Sequence, residues 1–138
     1  MISLELARKL KEAGLEWEPQ EGDAYHDSAS DTIYYSQYPP LESANYIRFT
    51  WLARLDQLLA EIEKWGYSWE MRTVIDESQS VRFNAKNIAY WIHVWKTGHI
   101  EWEDGFKRAF TSPSNAAASA LLWIYERRAA TGCGLSDG

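Results

Sequence analysis

One cysteine in 138 residues, Cys133, leaves no disulfide to be formed within a single chain and no cysteine-based metal centre. Long apolar runs are missing too. No stretch of about 18 apolar residues occurs, and residues 1–15 mix acidic and basic groups where a signal peptide needs an unbroken apolar core. A soluble, cytosolic protein with no membrane partner is the expectation, in the host cytosol if the chain comes from a phage. Positive charge is scarce: the net charge is −6, with 6 Lys/Arg against 13 Asp/Glu in residues 1–70 and 8 against 7 in residues 71–138. An acidic surface repels phosphate backbones, which argues against nucleic acid as a general partner.

Reaction motifs are also lacking. There is no Gly-x-x-x-x-Gly-Lys loop and no Gly-x-Ser-x-Gly elbow. His26, His93 and His99 do not show the His-x-x-x-His spacing that sets two ligands on one helix face, so no metal is expected. The acidic loop 27–31 lacks the glycine and oxygen pattern of a calcium loop and reads as a turn. Catalytic residues and cofactors are expected to be none, and binding is favoured over turnover.

What the chain has in excess is rings: eight Trp, eight Tyr and four Phe. Such a supply exceeds what a small core usually needs, so some rings are expected to line a surface that holds another molecule. Helical periodicity begins at Ser3, a capping residue, with Leu6, Leu10 and Ala13 on one stripe and Gly14 as the stop. Two aromatic runs, 23–26 and 32–35, flank a turn-rich stretch and read as a hairpin, while 41–49 stays open between irregular chain and a short strand. A second helix is predicted over 51–65, capped by Thr50 and ended by Gly66, with Leu52, Leu55, Leu58, Leu59 and Ile62 at helical spacing. A period of two then marks a strand over 67–75. The last helix starts at Ser112–Pro113 and runs to about Ala130.

Between these lie 88–96 and 99–104, joined by Thr97–Gly98 as a two-residue hairpin turn that sets Val94 opposite Glu101 and His93 opposite Trp102. A further strand follows over 106–111. Strand 88–96 is apolar on both sides and is predicted to be central or covered at its back. The order α-ββ-α-β-ββ-α predicts an α+β fold, a mainly antiparallel sheet packed with about three helices, as one domain over 1–130 with a flexible tail over 131–138.

Three blocks carry a resemblance: Ser3-Leu4-Glu5-Leu6-Ala7-Arg8-Lys9-Leu10, then Trp51-Leu52-Ala53-Arg54-Leu55-Asp56-Gln57-Leu58-Leu59 with Trp65-Gly66-Tyr67, and Ser112-Pro113-Ser114 leading into Ala120-Leu121-Leu122-Trp123. The chain resembles short uncharacterised phage and prophage proteins of Firmicutes, and its hairpin followed by an alanine-rich helix is similar to the phage α-β-α sandwich domain. Residues 34–49 depart from that pattern. The resemblance implies a mobile-element origin and an accessory role, and transfers no catalytic residue.

The candidate binding residues are Trp91, His93, Trp95 and Trp102, one face of the expected hairpin, where rings can stack on a planar ligand and the imidazole can hydrogen-bond to it. Arg72, Arg82 and Lys96 would supply charge to a phosphate. A buried aromatic layer has the same spacing and is the commoner use of such residues. The leading expectation is a non-enzymatic, phage-type accessory protein that sequesters a nucleotide-like small molecule, such as a host immune signal, in an anti-defence role. A second expectation is an acidic inhibitor that docks Glu16, Glu18, Glu21, Asp23, Asp27 and Asp31 on a basic host or phage protein. A third, weaker one is an enzyme acting through Glu101 or Glu103. The two-sided apolar strand and the ring excess also lead us to expect a homo-oligomer.

Overall fold

The computed structural model describes residues 1–18, 20–35, 48–75, 88–98 and 105–132. Helix α1 spans Leu4–Ala13. The Ser3 hydroxyl accepts from the Leu6 amide at 3.2 Å, satisfying one of the amides a helix start leaves open. At the other end Gly14 turns left-handed, at φ 115°, a conformation that costs a residue with a Cβ. Its amide bonds the Lys11 carbonyl at 3.2 Å while the Leu15 amide reaches back to Leu10 at 2.9 Å, the paired closure of a Schellman motif.

Strands β1 (Ala24–Asp27), β2 (Thr32–Tyr35) and β3 (Phe49–Leu52) form one antiparallel sheet in the order β2-β1-β3. β1 and β2 make the expected hairpin, with Asp31 at φ 52° in its turn. β3 corrects the sequence reading, which gave Trp51 and Leu52 to a helix. Leu52 pairs with Ala24 and Trp51 with Tyr25, and Phe49-Thr50-Trp51-Leu52 alternates partly exposed with buried. Helix α2 therefore begins only at Leu55 and runs to Lys64. Its start is fixed by the Gln57 side chain, which accepts from the Arg54 amide at 2.9 Å.

A second antiparallel sheet holds β4 (Tyr67–Ile75), β5 (Ile88–Lys96) and β6 (Phe106–Phe110) in the order β4-β5-β6. β5 is central, as its two-sided apolar pattern requires. The expected hairpin register is overturned: Val94 pairs with Trp69 on one side and Phe106 on the other, and His93 with Glu70 and Lys107. Both edges of β5 are taken at these positions, by β4 and β6. Residues 99–104, which carried that register, lie outside the described residues, as do 76–87.

Helix α3 (Pro113–Gly132) packs on α1, α2, β5 and β6. The Ser112 hydroxyl accepts from the Asn115 amide at 3.3 Å, and the Asn115 side chain accepts from the Ser3 amide at 2.8 Å, tying the two helix starts together. Ala116, Ala117, Ala118 and Ala120 are fully buried, because small side chains let the helix axis approach its neighbours closely. With Leu10, Leu58, Ile62, Ile92, Val94, Leu121 and Ile124 they form the core. Each large aliphatic residue buried there contributes about 1.5–3 kcal/mol. The helix extends two residues past the expected end, so Thr131 and Gly132 belong to it and the rest of the expected tail lies outside the described residues.

Asp27, buried at the end of β1, accepts from Arg48 Nε at 2.6 Å and Nη2 at 2.8 Å, and from the Ala29 amide at 3.0 Å. The two-pronged guanidinium contact holds its carboxyl below the ordinary 3.8, at about 2. A carboxyl that binds its proton less readily when folded stabilises the fold in its charged form. That contribution is intact above the unfolded value of 3.8 and fades as pH falls towards about 2. Acid unfolding followed by circular dichroism should show this step in the parent chain and lose it in Asp27→Asn. A variant with the same acid dependence as the parent would show that Asp27 is not its source.

Candidate functional site

Strand alternation divides the rings of the second sheet. Ile92 and Val94 face the core, with Tyr67, Trp69, Phe106 and Phe110 beside them. Trp91, His93 and Trp95 lie on the opposite face, with Trp91–His93 ring centres 6.5 Å apart and His93–Trp95 4.7 Å apart. Register adds Arg72 and Glu70 from β4, and Lys107 and Ala109 from β6. Arg72 is paired to Glu70 at 3.0 Å, and Lys107 sits over the Trp91 ring at 5.8 Å. His93 is only 3% exposed. Lys96 belongs to the other face, over the Tyr67 ring at 5.4 Å. The structure thus brings together Trp91, His93, Trp95 and Arg72, and separates Lys96 from them. Trp102 and Arg82 lie outside the described residues.

A second ring cluster was not foreseen. On β3, Phe49 and Trp51 share one face, each partly exposed, while Thr50 and Leu52 are buried on the other. Tyr25 lies opposite Trp51 in register, and Tyr34 opposite Tyr25. Trp17 lies across this face, 5.5 Å from Tyr25 and 6.4 Å from Trp51 with the two indoles within 12° of parallel. Its position is set by Asp23, a fully buried carboxylate that accepts from Trp17 Nε1 at 2.8 Å, the Gln20 amide at 3.0 Å, Gln57 Nε2 at 3.0 Å and Arg54 Nη1 at 3.3 Å.

Between this aromatic face and α1 opens a cleft of about 420 Å³, lined by Ala7, Lys11, Leu15, Glu16, Trp17, Glu18, Phe49 and Trp51. Lys11 spans it and donates to the Phe49 carbonyl at 2.6 Å. The Arg48 carbonyl bonds inward to Ser28, so by alternation along the strand the Phe49 carbonyl faces the open edge, which Lys11 covers. Burial lowers the affinity of the Lys11 amine for its proton. Trp51 Nε1 is buried and makes no hydrogen bond. Glu16 and Glu18 also line a more polar cavity of about 470 Å³ with Glu61, Lys64, Trp65, Tyr125 and Arg128. Burial raises the Tyr125 hydroxyl above its ordinary value there.

An unpartnered buried donor costs about 1–3 kcal/mol, so Trp51→Phe, which removes it and keeps a ring, should change stability by no more than about 1 kcal/mol. Urea denaturation measures this. A loss above about 3 kcal/mol would mean that the indole N–H has a partner.

The acidic stretch meant for docking is partly internal. Asp23 holds the Trp17 hub, Asp27 binds Arg48, and Asp31 meets His26 Nε2 at 2.8 Å. Among the described residues no three His, Cys, Asp or Glu side chains converge as a metal site, and no helix is long and apolar enough to cross a membrane. Comparison of the chain with protein-family models, curated proteins and solved structures gives no match.

Proposed function

We propose that the chain works by stoichiometric, non-covalent binding of a small molecule with a flat or compact apolar part, held in the cleft between α1 and β3. The observation that carries this reading is the ring-walled cleft itself. Its volume of about 420 Å³ falls in the ordinary range for ligand sites. Three rings from two segments converge on it, Trp17 from the stretch after α1 and Phe49 with Trp51 from β3, with charged groups few enough to orient a ligand. The hydrogen bonds of Trp17 to Asp23 and of Lys11 to Phe49 support a wall already formed before binding. A mobile-element origin and an accessory role are what the resemblance of the three sequence blocks implies, and action against a host signal is our own proposal within that setting.

The neutral dye Nile red tests the cleft. Its emission should rise on binding the parent chain, and Leu15→Trp, which fills the cleft, should abolish the rise. Equal uptake by the filled variant would place the dye elsewhere and end this reading.

A second reading keeps a nucleotide-like ligand on the face of β5. It is favoured by the sharing of that face by Trp91, His93 and Trp95 with Arg72 and Lys107, rings and cations together. Saturable quenching of tryptophan emission by AMP, lost in Trp91→Ala and kept in Leu15→Trp, is its expected result. Quenching that survives Trp91→Ala would exclude it.

A further inference from the structure

The cleft between α1 and β3 differs from a nucleotide site in the sign of its charge. One cation, Lys11, lines it against two carboxylates, Glu16 and Glu18. Lys11 is anchored to the Phe49 carbonyl, an edge group that would otherwise face the opening. Neither Glu16 nor Glu18 forms an ion pair or hydrogen bond among the described residues. Several acidic groups elsewhere in the same half of the chain do: Asp23 on Trp17 and Arg54, Asp27 on Arg48, Asp31 on His26, Glu63 on Trp69. The positive groups beyond the two carboxylates are engaged as well, Lys64 near Glu61 at 3.9 Å and Arg128 over the Trp65 ring at 3.9 Å.

Ring faces are electron-rich and attract a cation, most strongly where water is excluded. Indole walls flanked by unpaired carboxylates therefore suit a cation that is too weakly hydrated to prefer water. Phosphate meets the opposite condition there. From the charge of the lining and the chemistry of its walls, we infer that the cleft takes a monovalent organic cation, an alkylated ammonium group, seated against Trp17, Phe49 and Trp51 with Glu16 and Glu18 as counter-charges. The inference rests on the cleft being the binding site and adds the class of ligand.

Displacement of Nile red from the parent chain separates the two claims. Choline chloride should displace the dye at a concentration at least about tenfold lower than dimethylbutanol, its neutral carbon isostere, and AMP should displace none. Glu18→Gln should weaken choline and leave dimethylbutanol unchanged. Equal potency of choline and dimethylbutanol, stronger displacement by AMP, or no displacement by choline at millimolar concentration would each overturn the cation assignment. In all three cases the dye's dependence on an open cleft would still stand for the site, whereas dye uptake by the filled variant would remove the site itself.

Discussion

Asp23→Ala is expected to destabilise the chain by about 3–5 kcal/mol, the scale for removing one partner from a buried charged network. Four donors converge on this carboxylate, and two of them, the Trp17 indole and the Gln57 amide, come from segments 40 residues apart in sequence. With the acceptor gone, the buried Trp17 N–H would lose this bond, and removing one side of a buried hydrogen bond costs more than the bond contributes when formed. Arg54 is 47% exposed and can turn to water, which sets the lower end of the range. Asp23→Asn keeps one oxygen but turns an NH₂ group against other donors, so about half the loss is expected for it. Urea midpoints measure both. Because Asp23 positions the Trp17 wall, the variants should also take up Nile red more weakly under conditions where they remain folded. A loss below about 1 kcal/mol for the alanine variant would show that the network is not a stabilising centre.

The second large effect lies in the core. Leu121→Ala should cost about 2–5 kcal/mol, the lost transfer energy of three carbons plus the cavity they leave. Leu121 is fully buried on α3 among alanines that are themselves fully buried, Ala117, Ala118 and Ala120. Small neighbours on a rigid helix cannot swing in to fill the gap, so the upper half of that range is expected. Thermal and urea unfolding should agree on the size. Nile red uptake per folded molecule should be unchanged, since Leu121 does not line the cleft. A loss under about 1 kcal/mol would mean that α3 is loosely packed on its neighbours.

The contrast between these residues shows where sequence was informative. Leu121 sits in a helix whose start is marked by Ser112–Pro113, and other local signals revealed α1, strand 67–75 and the central place of β5. Local chemistry decides such elements: a cap, a stopping glycine, a period. Trp51 and Leu52 were misassigned because the leucines of α2 extend backwards in helical phase, while the pairing that makes them a strand is with Ala24 and Tyr25, a partner far along the chain. Register on β5 failed for the same reason, since competition from β6 is a non-local fact.

The candidate site was half legible. The face that groups Trp91, His93 and Trp95 followed from alternation alone, and the same rule placed Lys96 on the other side once the sheet was known. Trp17 gave no signal. It stands alone between Glu16 and Glu18 in a stretch without period, and its place depends on a carboxylate six residues away that composition counted only as surface charge. Among the described residues the rings most exposed are Tyr34 at 40% and Tyr35 at 69% on β2, next to Ile33 and Met1, and not the tryptophans of β5.

The claim that ligand enters the cleft between α1 and β3 can be read directly from the indole N–H signals of a nitrogen-15-labelled sample titrated with choline chloride. The signals of Trp17 and Trp51, assigned by Trp17→Phe and Trp51→Phe, should shift together and saturate, while those of Trp91 and Trp95 stay in place. Movement of Trp91 and Trp95 with Trp17 and Trp51 unchanged would contradict the account.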